Sequence, residues 1–329
     1  MNTGFIITAI TVSYCAVLAL GQEDDVGTAW LKYQTDFPGN GARQTMAEIL
    51  IRIENFAKVD AMIEKHNQNS HATFKMDHNK FSTMDDDEKK LYTGLRLPMD
   101  VNNSGGLALI GRSSGQLPDS LDYRNHNCMP AVKDQGQCGS CWAFAAITPL
   151  EFARCKKTNE SVLLSEQQLV DCDPSNLGCS GGWYSSAWNY LQNGSAKESF
   201  YPYTGQDMTC KFKTCMNRVK VASSGFLERN NPVSMQMALQ LYGPISVAFT
   251  VTDSFYAYRS GIYNDPACDN KGVNHAVVVV GWGTQNEMDY WIVRNSWGNA
   301  WGDSGYFLMQ RGVNKCNIEN FAAAITSII

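Results

Sequence analysis

The chain has 329 residues, of which 44% are hydrophobic and 18% charged, and its formal net charge is −5. That length allows one or two domains with a buried core, and the composition is ordinary for a globular protein. Because the net charge is negative and no long basic run appears, the composition argues against a nucleic-acid-binding protein.

The N-terminus has the pattern of a secretory signal peptide, which we assign to residues 1–21. Its apolar run, residues 5–20, is short for a membrane-spanning helix. Small residues at Ala19 and Gly21 precede an acidic stretch that begins after Gln22. No Lys or Arg precedes the apolar run, so an uncleaved signal anchor is the alternative. No later segment of the sequence is long and apolar enough to span a membrane.

Residues 22–116 differ in composition from the rest of the chain, because they are charged and contain no cysteine. Apolar residues recur there at helical spacing, at Ile49, Ile53, Phe56 and Ile63. That periodicity predicts an amphipathic helix. Gly and Ser become frequent after residue 100, in VNNSGGLALIGRSSGQLP, which predicts an exposed linker. Such a linker favours proteolytic nicking, and we place a processing site near residues 112–117.

The remainder, residues 117–329, contains nearly all the cysteines and changes from helical to strand-like patterns along its length. Its first half contains two helix candidates, one beginning at Cys141 (CWAFAAITPLEFARCKK) and one in LSEQQLVDC. Its second half is rich in β-branched and aromatic residues, in ISVAFTV, HAVVVVGWG, DYWIVRNSWG and GYFLMQRG. Helices first and strands second imply two packed sub-units with a cleft between them.

Secretion sets the redox context of the eleven cysteines. Cys15 leaves with the signal peptide, and most of the others are expected to form disulfides in an oxidising compartment. A free thiol among them therefore needs a chemical reason.

The segment QGQCGSCWAF contains Cys138 and Cys141 at the spacing of a redox dithiol or of half a zinc site. Zinc needs two further ligands, but no second C-x-x-C follows, and beyond the linker the histidines are His126 and His275. A thioredoxin-like site needs parallel strands around its helix, and the sequence does not predict them. The third alternative is a disulfide cysteine beside a cysteine nucleophile, which needs partners elsewhere in the chain.

Partners for a cysteine nucleophile are present downstream. His275, in GVNHAVVVVGWG, has the side chain of a base that removes the thiol proton. Asn295, in VRNSWGNAWG, has a side-chain oxygen that can accept the other N–H of the imidazole. Cys141 lies at the predicted start of a helix, where partial positive charge favours a thiolate. Imidazolium and helix end together are expected to lower the thiol pKa from about 8.5 into roughly the 3.5–7.5 range.

With these residues the chain resembles the papain-like cysteine proteases, most closely the cathepsin L group. The resemblance extends, in the same order, over the motifs LSEQQLVDC, GCSGG, YPY, GPISV, NHA and NSWG. It also reaches the N-terminal region, where residues match the helical pattern of cathepsin L-type propeptides at Glu48, Arg52, Phe56, Ile63 and Asn67. The resemblance implies an α+β fold of the papain type, with a helical domain, a β-barrel-like domain and an active-site cleft between them.

Three features depart from the family pattern. Val59 stands where the propeptide helix is expected to have Asn, and a second propeptide pattern is matched at Asn79 and Phe81 alone, with Asp77 and Thr83 in place of Gly and Asp. We expect the inhibitory fold to be kept, with different helix contacts. Pro149 lies about two turns into the helix that begins at Cys141, and because proline lacks a backbone N–H we expect a bend there.

The resemblance implies a cysteine endopeptidase made as a zymogen, with a signal peptide over residues 1–21, an inhibitory propeptide over 22–116 and a mature peptidase domain over 117–329. Its substrates would be polypeptides, cleaved through an acyl-enzyme without a cofactor or a metal. The implied partners are its own propeptide and cystatin-type inhibitors. We expect a monomer without nucleic acid and without a membrane span once the signal is removed. The implied location is a lysosome or endosomal vacuole, or the extracellular space.

The resemblance assigns a role to each residue of the expected active site. Cys141 is the nucleophile, His275 is the base and later the acid, and Asn295 orients His275. Gln135 holds the oxyanion of the tetrahedral intermediate together with the backbone N–H of Cys141. Trp297 shields the bond between histidine and asparagine from water.

The resemblance also assigns substrate-binding positions. Gly181, Gly182 and Asn274 are expected beside the substrate backbone. Ala248 and Phe321 are expected on the wall and floor of S2, the pocket for the second residue before the cut. Neither carries a charge, and Phe321 should shorten the pocket, so the expected preference is for Leu or Val over Arg and over the larger Phe.

The disulfides implied by the resemblance are four in number: Cys138–Cys179, Cys172–Cys210, Cys268–Cys316 and, as in cathepsin B, Cys128–Cys155. Cys215 is left over. It is either free or takes the place of Cys210 in its bridge.

Two rival functions are weaker. An inactive homologue is disfavoured because Gln135, Cys141, His275 and Asn295 are all present. Removal of dipeptides in the manner of cathepsin B requires paired histidines in a loop, and no histidine lies between His126 and His275. Aminopeptidase action through a retained fragment of the propeptide stays open.

Overall fold

The structure is a computed structural model of the chain, and it describes residues 24–38, 45–98 and 117–329. The signal peptide predicted over residues 1–21, the predicted linker and the processing region up to residue 116 lie outside these ranges. Within them, no helix combines the length and the apolar character needed to cross a membrane.

Residues 24–38 and 45–98 of the N-terminal region contain three helices and a short strand. They are α1 (Asp24–Asp36), α2 (Met46–Asn67), β1 (Phe74–Met76) and α3 (Asp86–Lys90). The amphipathic helix predicted from residue spacing is confirmed, because Ile53, Phe56 and Ile63 are the buried residues of α2. Ile53 and Phe56 pack with Trp30 and Tyr33 of α1 in a small separate core.

The first half of the region 117–329 is organised around one buried helix. Its main elements are β2 (Leu121–Asp122), α4 (Cys141–Thr158), α5 (Glu166–Cys172), α6 (Tyr184–Tyr190) and β3 (Ser195–Ala196). Both helices predicted here are confirmed as α4 and α5. Every residue from Cys141 to Phe152 is buried, so the first three turns of α4 are enclosed on all sides, as in a central core helix.

The second half consists mainly of strands. They are β4 (Asn217–Val219), β5 (Val221–Phe226), β6 (Ile245–Phe249), β7 (Tyr258–Tyr263), β8 (His275–Gln285), β9 (Met288–Arg294), β10 (Tyr306–Gln310) and β11 (Ala323–Ile328), with α7 (Pro232–Tyr242) and α8 (Asp253–Tyr256) between them. The four predicted strands are confirmed as β6, β8, β9 and β10. Strands β5, β7 and β11 were missed, and each mixes buried with exposed or half-exposed positions.

Nine of the described strands form one sheet, in the order β1-β7-β10-β9-β8-β6-β11-β5, with β2 paired to β8. The N-terminal region therefore adds β1 to an edge of this sheet, antiparallel to β7. Alternate residues of β8 enter two different cores, since successive side chains of a strand point to opposite faces. Val277 and Val279 join one core, whereas Ala276 and Val278 join the core that contains α4. The expected α+β fold, with a helical half and a half made mainly of strands, is confirmed.

Pro149 lies inside α4, and the helix nevertheless continues to Thr158. Proline has no N–H to donate to the carbonyl group of Ala145, four residues earlier. Ser246 of β6 donates its hydroxyl to that carbonyl at 2.7 Å. The carbonyl group of Ala145, which has no helical donor because of Pro149, thus attaches α4 to the sheet.

A group of charged side chains is buried in the helical half. The Nζ of Lys133 lies 2.9 Å from Glu151 and 2.7 Å from Glu166. Burial alone would lower the pKa of Lys133, but the two carboxylates outweigh it and raise that pKa. For Glu166, burial is the largest effect and raises the pKa to about 8, although Lys133 opposes it, and the charges of Glu151 and Glu198 raise it further. This cluster therefore holds a proton near neutral pH.

The proton on Glu166 makes the stability of the protein depend on pH. The native carboxyl keeps its proton up to about pH 8, whereas the unfolded one loses it near its ordinary value of 4.5. The native state binds more protons in this window, so the free energy of unfolding should fall as the pH rises through it. Glu166→Gln keeps the side chain uncharged and should flatten this dependence. Urea unfolding of the Cys141→Ala precursor, with and without Glu166→Gln, measures it at several pH values.

The matched control is Glu160→Gln, because that side chain is 71% exposed beside Arg154. It should leave the pH dependence unchanged. An equal pH dependence in the Glu166→Gln variant and its parent would contradict the prediction.

Candidate active site

Cys141 is the first residue of α4 and is fully buried. Burial raises the pKa of its thiol to about 11, and backbone N–H groups, among them those of Ala276, Gly94 and Trp142, offset this only in part. The low thiol pKa expected from the sequence is therefore wrong for the chain in this state. The helix end does favour the thiolate, but the N-terminal region covers the sulfur and excludes the water that would solvate a charge.

His275 is the first residue of β8 and is also buried. Its Nε2 lies 2.9 Å from the side-chain Oδ1 of Asn295. That oxygen also accepts the backbone N–H of Ser296 at 2.8 Å, which fixes the orientation of the amide. Because an amide oxygen can only accept, Nε2 carries the hydrogen in the neutral ring and Nδ1 is the basic nitrogen. Nδ1 is buried and has no hydrogen-bond partner among the described residues.

The imidazole is neutral over most of the pH range in this state. Burial lowers the pKa of His275 to about 4, and the bond to Asn295 raises it by less. The indole of Trp297 lies over the ring, with centroids 4.9 Å apart at an angle of 32°. Cys141 and His275 are therefore both uncharged near neutral pH, in contrast to the thiolate–imidazolium pair of an activated cysteine.

Gln135 is buried beside these residues, and both ends of its amide are engaged. Its Nε2 donates to the backbone oxygen of Cys138 at 2.9 Å and to that of Tyr92 at 3.1 Å. Its Oε1 accepts the hydroxyl of Ser296 at 2.6 Å. Trp297 donates its indole N–H to the same oxygen of Tyr92 at 3.1 Å. Gln135 Nε2, which was expected to donate to an oxyanion, thus donates to a carbonyl group of the N-terminal region.

A segment of the N-terminal region, residues 92–96, lies in the cleft, where Leu95 forms a parallel bridge with Gly182. Gly182 donates to the oxygen of Gly94 at 2.8 Å and accepts the N–H of Arg96 at 3.0 Å. Between these two bonds, Leu95 donates its N–H to the oxygen of Asn274 at 3.1 Å. The side chain of Leu95 packs against the core that contains α4. The backbone groups expected to bind substrate are therefore occupied by the chain itself.

Glycine is required where this segment approaches Cys141. A Cβ on Gly94 would lie 1.9 Å from the backbone oxygen of Gly139, two residues before Cys141. Gly181 has a φ of +117°, and a Cβ there would lie 2.5 Å from the oxygen of Gly94. Contact between two backbones at this distance excludes a side chain on either of them.

The two residues expected around S2 belong to or pack on the same core as Leu95. Ala248 belongs to β6, pairs with Ala276 of β8, and is fully buried in the core that contains α4. Phe321 packs on the same core, edge-on to Trp183 with ring centroids 5.8 Å apart. Sequence reasoning missed Arg229, whose guanidinium carbon lies 4.9 Å from the centroid of the Phe321 ring.

The sequence did not indicate that Arg229 lies beside Phe321 or that residues 92–96 lie in the cleft. Arg229 lies in a loop far from Phe321 along the chain, and Gly94 stands in a stretch that resembles any exposed turn. Only tertiary contacts bring them to the site.

Four disulfides hold the described part of the chain, and they join the same cysteines that the resemblance implied. They are Cys128–Cys155, Cys138–Cys179, Cys172–Cys210 and Cys268–Cys316. The second of them links the loop before Cys141 to the loop that carries Gly181 and Gly182. Among the described cysteines, Cys141 is free and buried, and Cys215 is free and exposed.

Comparison with known proteins decides the family. The family model described as papain family cysteine protease matches residues 117–326, and that of the cathepsin propeptide inhibitor domain (I29) matches residues 31–88. The chain belongs to the papain family of cysteine proteases. This papain-family protease is 36% identical to cathepsin K of Mus musculus over 312 residues, which cover 93% of this chain and 94% of that protein. It is 40% identical to pro-cathepsin H of Mus musculus over 274 residues, 81% of each.

Solved structures of precursors from this family are similar to the whole described protein. Digestive procathepsin L2 proteinase from the larval midgut of Tenebrio molitor superposes with a TM-score of 0.85 at 33% identity, over 92% of this chain and 100% of that one. The proform of the ragweed pollen allergen Amb a 11 gives 0.80 at 28% identity, over 93% and 95%. The protein is therefore a cysteine protease made as a zymogen, which acts on protein substrates and is inhibited by its own propeptide.

The close contact at Gly94 leads us to expect that a side chain at this position would weaken the binding of the propeptide in the cleft. Gly94→Ala places a Cβ against the backbone of Gly139, which cannot move away as a flexible side chain would. The segment must then shift, and the bonds to Gly182 and Gln135 should weaken. We expect the variant precursor to process itself faster and at a higher pH than the unmodified precursor. A time course of processing on gels, with peptidase activity followed in parallel, measures this.

Gly272→Ala is the control, because a Cβ there meets nothing within 4 Å. Its processing should match that of the unmodified precursor. If Gly94→Ala also processes at the unmodified rate, the close contact does not limit release of the cleft.

Proposed function

We propose that the protein is an endopeptidase in which Cys141 is the nucleophile, His275 the general base and acid, and Asn295 the residue that orients His275. The observation that carries this proposal is the 2.9 Å bond between His275 Nε2 and Asn295 Oδ1, which leaves Nδ1 as the basic nitrogen. The proposal is also supported by the backbone N–H of Ala276, the residue after His275, because this group lowers the pKa of the Cys141 thiol and so lies near its sulfur.

The proposed reaction begins when residues 92–96 leave the cleft and substrate enters. Nδ1 of His275 takes the thiol proton, and the sulfur of Cys141 bonds to the scissile carbonyl carbon. The resulting oxyanion accepts hydrogen bonds from Gln135 Nε2 and from the backbone N–H of Cys141. The imidazolium then gives its proton to the leaving amine as the C–N bond breaks. Water, deprotonated by His275, attacks the acyl-enzyme, and the thiol regains its proton as the carboxylate product leaves.

In this proposal, residues 1–21 are a signal peptide, 22–116 the propeptide and 117–329 the mature enzyme, with processing near residues 112–117. The enzyme would reach an acidic lysosome or endosomal vacuole, or the extracellular space. The propeptide contacts the mature domain through Lys80, whose Nζ lies 2.9 Å from Asp134, next to Gln135. Loss of carboxylate charge in acid would weaken such ion pairs and favour release. The mature enzyme would be a monomer open to cystatin-type inhibitors at the vacated cleft.

The proposed specificity is for Leu or Val in S2. Leu95 of the propeptide supports it, because this residue lies between the two backbone bonds to Gly182 and its side chain packs on the core that contains Ala248. An apolar branched side chain of the substrate would replace Leu95 there and exchange water for contact. The propeptide therefore presents, at the position of a substrate side chain, the residue type that the pocket is proposed to select.

Substitution of the nucleophile tests the proposed chemistry. Cys141→Ala should abolish hydrolysis of a fluorogenic peptide blocked at both ends, after acid treatment with an added active protease to remove the propeptide. It should also abolish labelling by a thiol-directed epoxide, while the precursor still folds and is secreted. Cys215→Ala removes the exposed free thiol instead and should keep both activity and labelling. Retained hydrolysis in purified Cys141→Ala would refute the assignment, and hydrolysis restricted to peptides with a free N-terminus would favour an aminopeptidase.

Truncation of Phe321 tests the proposed pocket. Phe321→Ala should enlarge S2 and shift selection from Leu towards Phe, by about tenfold in the ratio of kcat/KM values, since one to a few methylene groups are worth about 1–3 kcal/mol in a pocket. Profiling with a peptide library measures this shift. Phe200→Ala is the control, because that ring is exposed and stacks on Arg218. Cleavage after Arg-Arg as efficient as cleavage after Leu-Arg would contradict an apolar pocket.

A further inference from the structure

The loop that leads from Gln135 to Cys141 is bridged by the phenol of Tyr203. The hydroxyl of Tyr203 donates to the backbone oxygen of Gln135 at 2.7 Å, and it lies 2.7 Å from the hydroxyl of Ser140. We propose that Tyr203 is a positioning residue of the oxyanion hole, because it fixes the two donors of that hole relative to each other. This inference rests on the proposed function, in which these donors are Gln135 Nε2 and the backbone N–H of Cys141.

The two hydrogen bonds of the phenol have defined directions. A carbonyl oxygen can only accept, so the single phenol proton goes to the backbone oxygen of Gln135. Ser140 then donates its hydroxyl proton to the oxygen of Tyr203. The other acceptor near Ser140 is the backbone oxygen of Cys138, and at 3.5 Å that contact is much weaker. Burial raises the pKa of the Tyr203 phenol, so the phenol keeps its proton and remains a donor in acid and in neutral solution.

The side chain of Ser140 bonds to the phenol although its position in the chain suits a different bond. Ser140 is the N-cap residue of α4, where serine usually accepts a backbone N–H of the first helical turn. Its side chain forms no bond of this kind in α4. It is fully buried and bonds to Tyr203 instead. Because Ser140 directly precedes Cys141, this bond restrains the peptide group that carries the Cys141 N–H.

The backbone of Gln135 is held from two sides. Its N–H donates to the backbone oxygen of Ser296 at 2.8 Å, and its carbonyl oxygen accepts the phenol of Tyr203. Ser296 also donates its hydroxyl to Gln135 Oε1 at 2.6 Å. These bonds direct Gln135 Nε2 to one position, which in the precursor is occupied by the carbonyl oxygen of Tyr92.

The ring of Tyr203 has its own contacts with the helical half. It packs edge-on against Phe144 in the first turn of α4, with centroids 5.0 Å apart at an angle of 80°. The backbone N–H of Tyr203 donates to the side chain of Glu198 at 2.8 Å. Removal of the hydroxyl alone should therefore leave the ring in place, which makes Tyr203→Phe the substitution to test.

The expected effect of Tyr203→Phe is confined to steps in which an oxyanion forms. Complete loss of one oxyanion donor slows a reaction by about 10²–10³-fold. Loss of the phenol hydroxyl displaces the donors without removing them, so kcat/KM should fall by about tenfold to a hundredfold. The value of kcat should fall with it and KM should stay within about twofold, because the affected interaction belongs to the transition state.

The experiment compares peptide hydrolysis with alkylation of the thiol in the processed enzyme. When iodoacetamide reacts, the sulfur of Cys141 bonds to carbon and iodide leaves, so an activated thiol is needed but no oxyanion forms. Tyr203→Phe should keep the alkylation rate and its pH profile within about twofold while hydrolysis falls. An equal fall of both rates shows that Tyr203 only supports the fold or the thiol, and it overturns the inference, as does unchanged hydrolysis.

Tyr201→Phe is the matched control, because the hydroxyl of Tyr201 also joins two segments. It donates to Asp171 at 2.8 Å and accepts the backbone N–H of Lys211 at 3.0 Å. Both substitutions should lower the melting temperature by a similar amount, whereas hydrolysis should fall only in Tyr203→Phe. If Tyr201→Phe slows hydrolysis to the same extent, the effect reflects a general loss of stability and the inference is overturned.

Ser140→Ala tests whether Tyr203 acts through the loop before Cys141. The phenol then keeps its bond to Gln135, so the fall in kcat/KM should be smaller than in Tyr203→Phe. The double variant should fall no further than Tyr203→Phe alone, because both substitutions remove parts of one bridge. Independent, multiplicative losses would contradict the bridge.

Gln135→Ala separates this inference from the proposed function. If Gln135→Ala slows hydrolysis without slowing alkylation while Tyr203→Phe changes neither, only the inference about Tyr203 fails. If Gln135→Ala also leaves hydrolysis unchanged, Gln135 is not an oxyanion donor, and the proposed oxyanion hole fails together with the inference.

Discussion

The packing of α4 against β8 is the contact on which the rest of the site depends. It places Cys141, the first residue of a helix whose first three turns are buried, in one core with Ala276, the second residue of the central strand. The thiol and the imidazole come from segments that lie far apart in the chain, and neither segment can present its group without the other. Pro149 and Ser246 contribute to the same contact, since the carbonyl freed by the proline is bound by the strand next to β8.

Latency follows from the same groups that are proposed to bind substrate. Gln135 and Trp297 donate hydrogen bonds to the carbonyl oxygen of Tyr92. The backbone N–H and C=O of Gly182 bond to the residues on either side of Leu95. By filling the cleft, the segment also removes water from the thiol and the imidazole, which keeps both uncharged. Inhibition therefore has two physical parts: the substrate groups are occupied, and the reactive ion pair is not formed. Departure of one segment reverses both.

Burial of charged groups also changes pKa values in the helical half of the molecule. Lys133 precedes the loop of Gln135 by two residues, and its carboxylate partners carry more negative charge than it balances, so a proton is retained on Glu166. This cluster contributes stability that is lost as the pH rises above the ordinary pKa of a glutamate, and acid is also the condition expected to release the propeptide.

The sequence by itself determined the class of the protein and was enough to predict its reactive residues. Local patterns were enough for α2, α4 and the central strands, because their apolar residues recur at the period of a helix or form a continuous buried run. Short spacings and a family resemblance were enough to name Cys141, His275 and Asn295. The tertiary structure alone decided the raised pKa of the thiol, the glycine contact at Gly94 and the arginine beside Phe321. Each of these depends on the exclusion of water or on the distance between segments that are remote in the chain. Local sequence patterns predict neither of them.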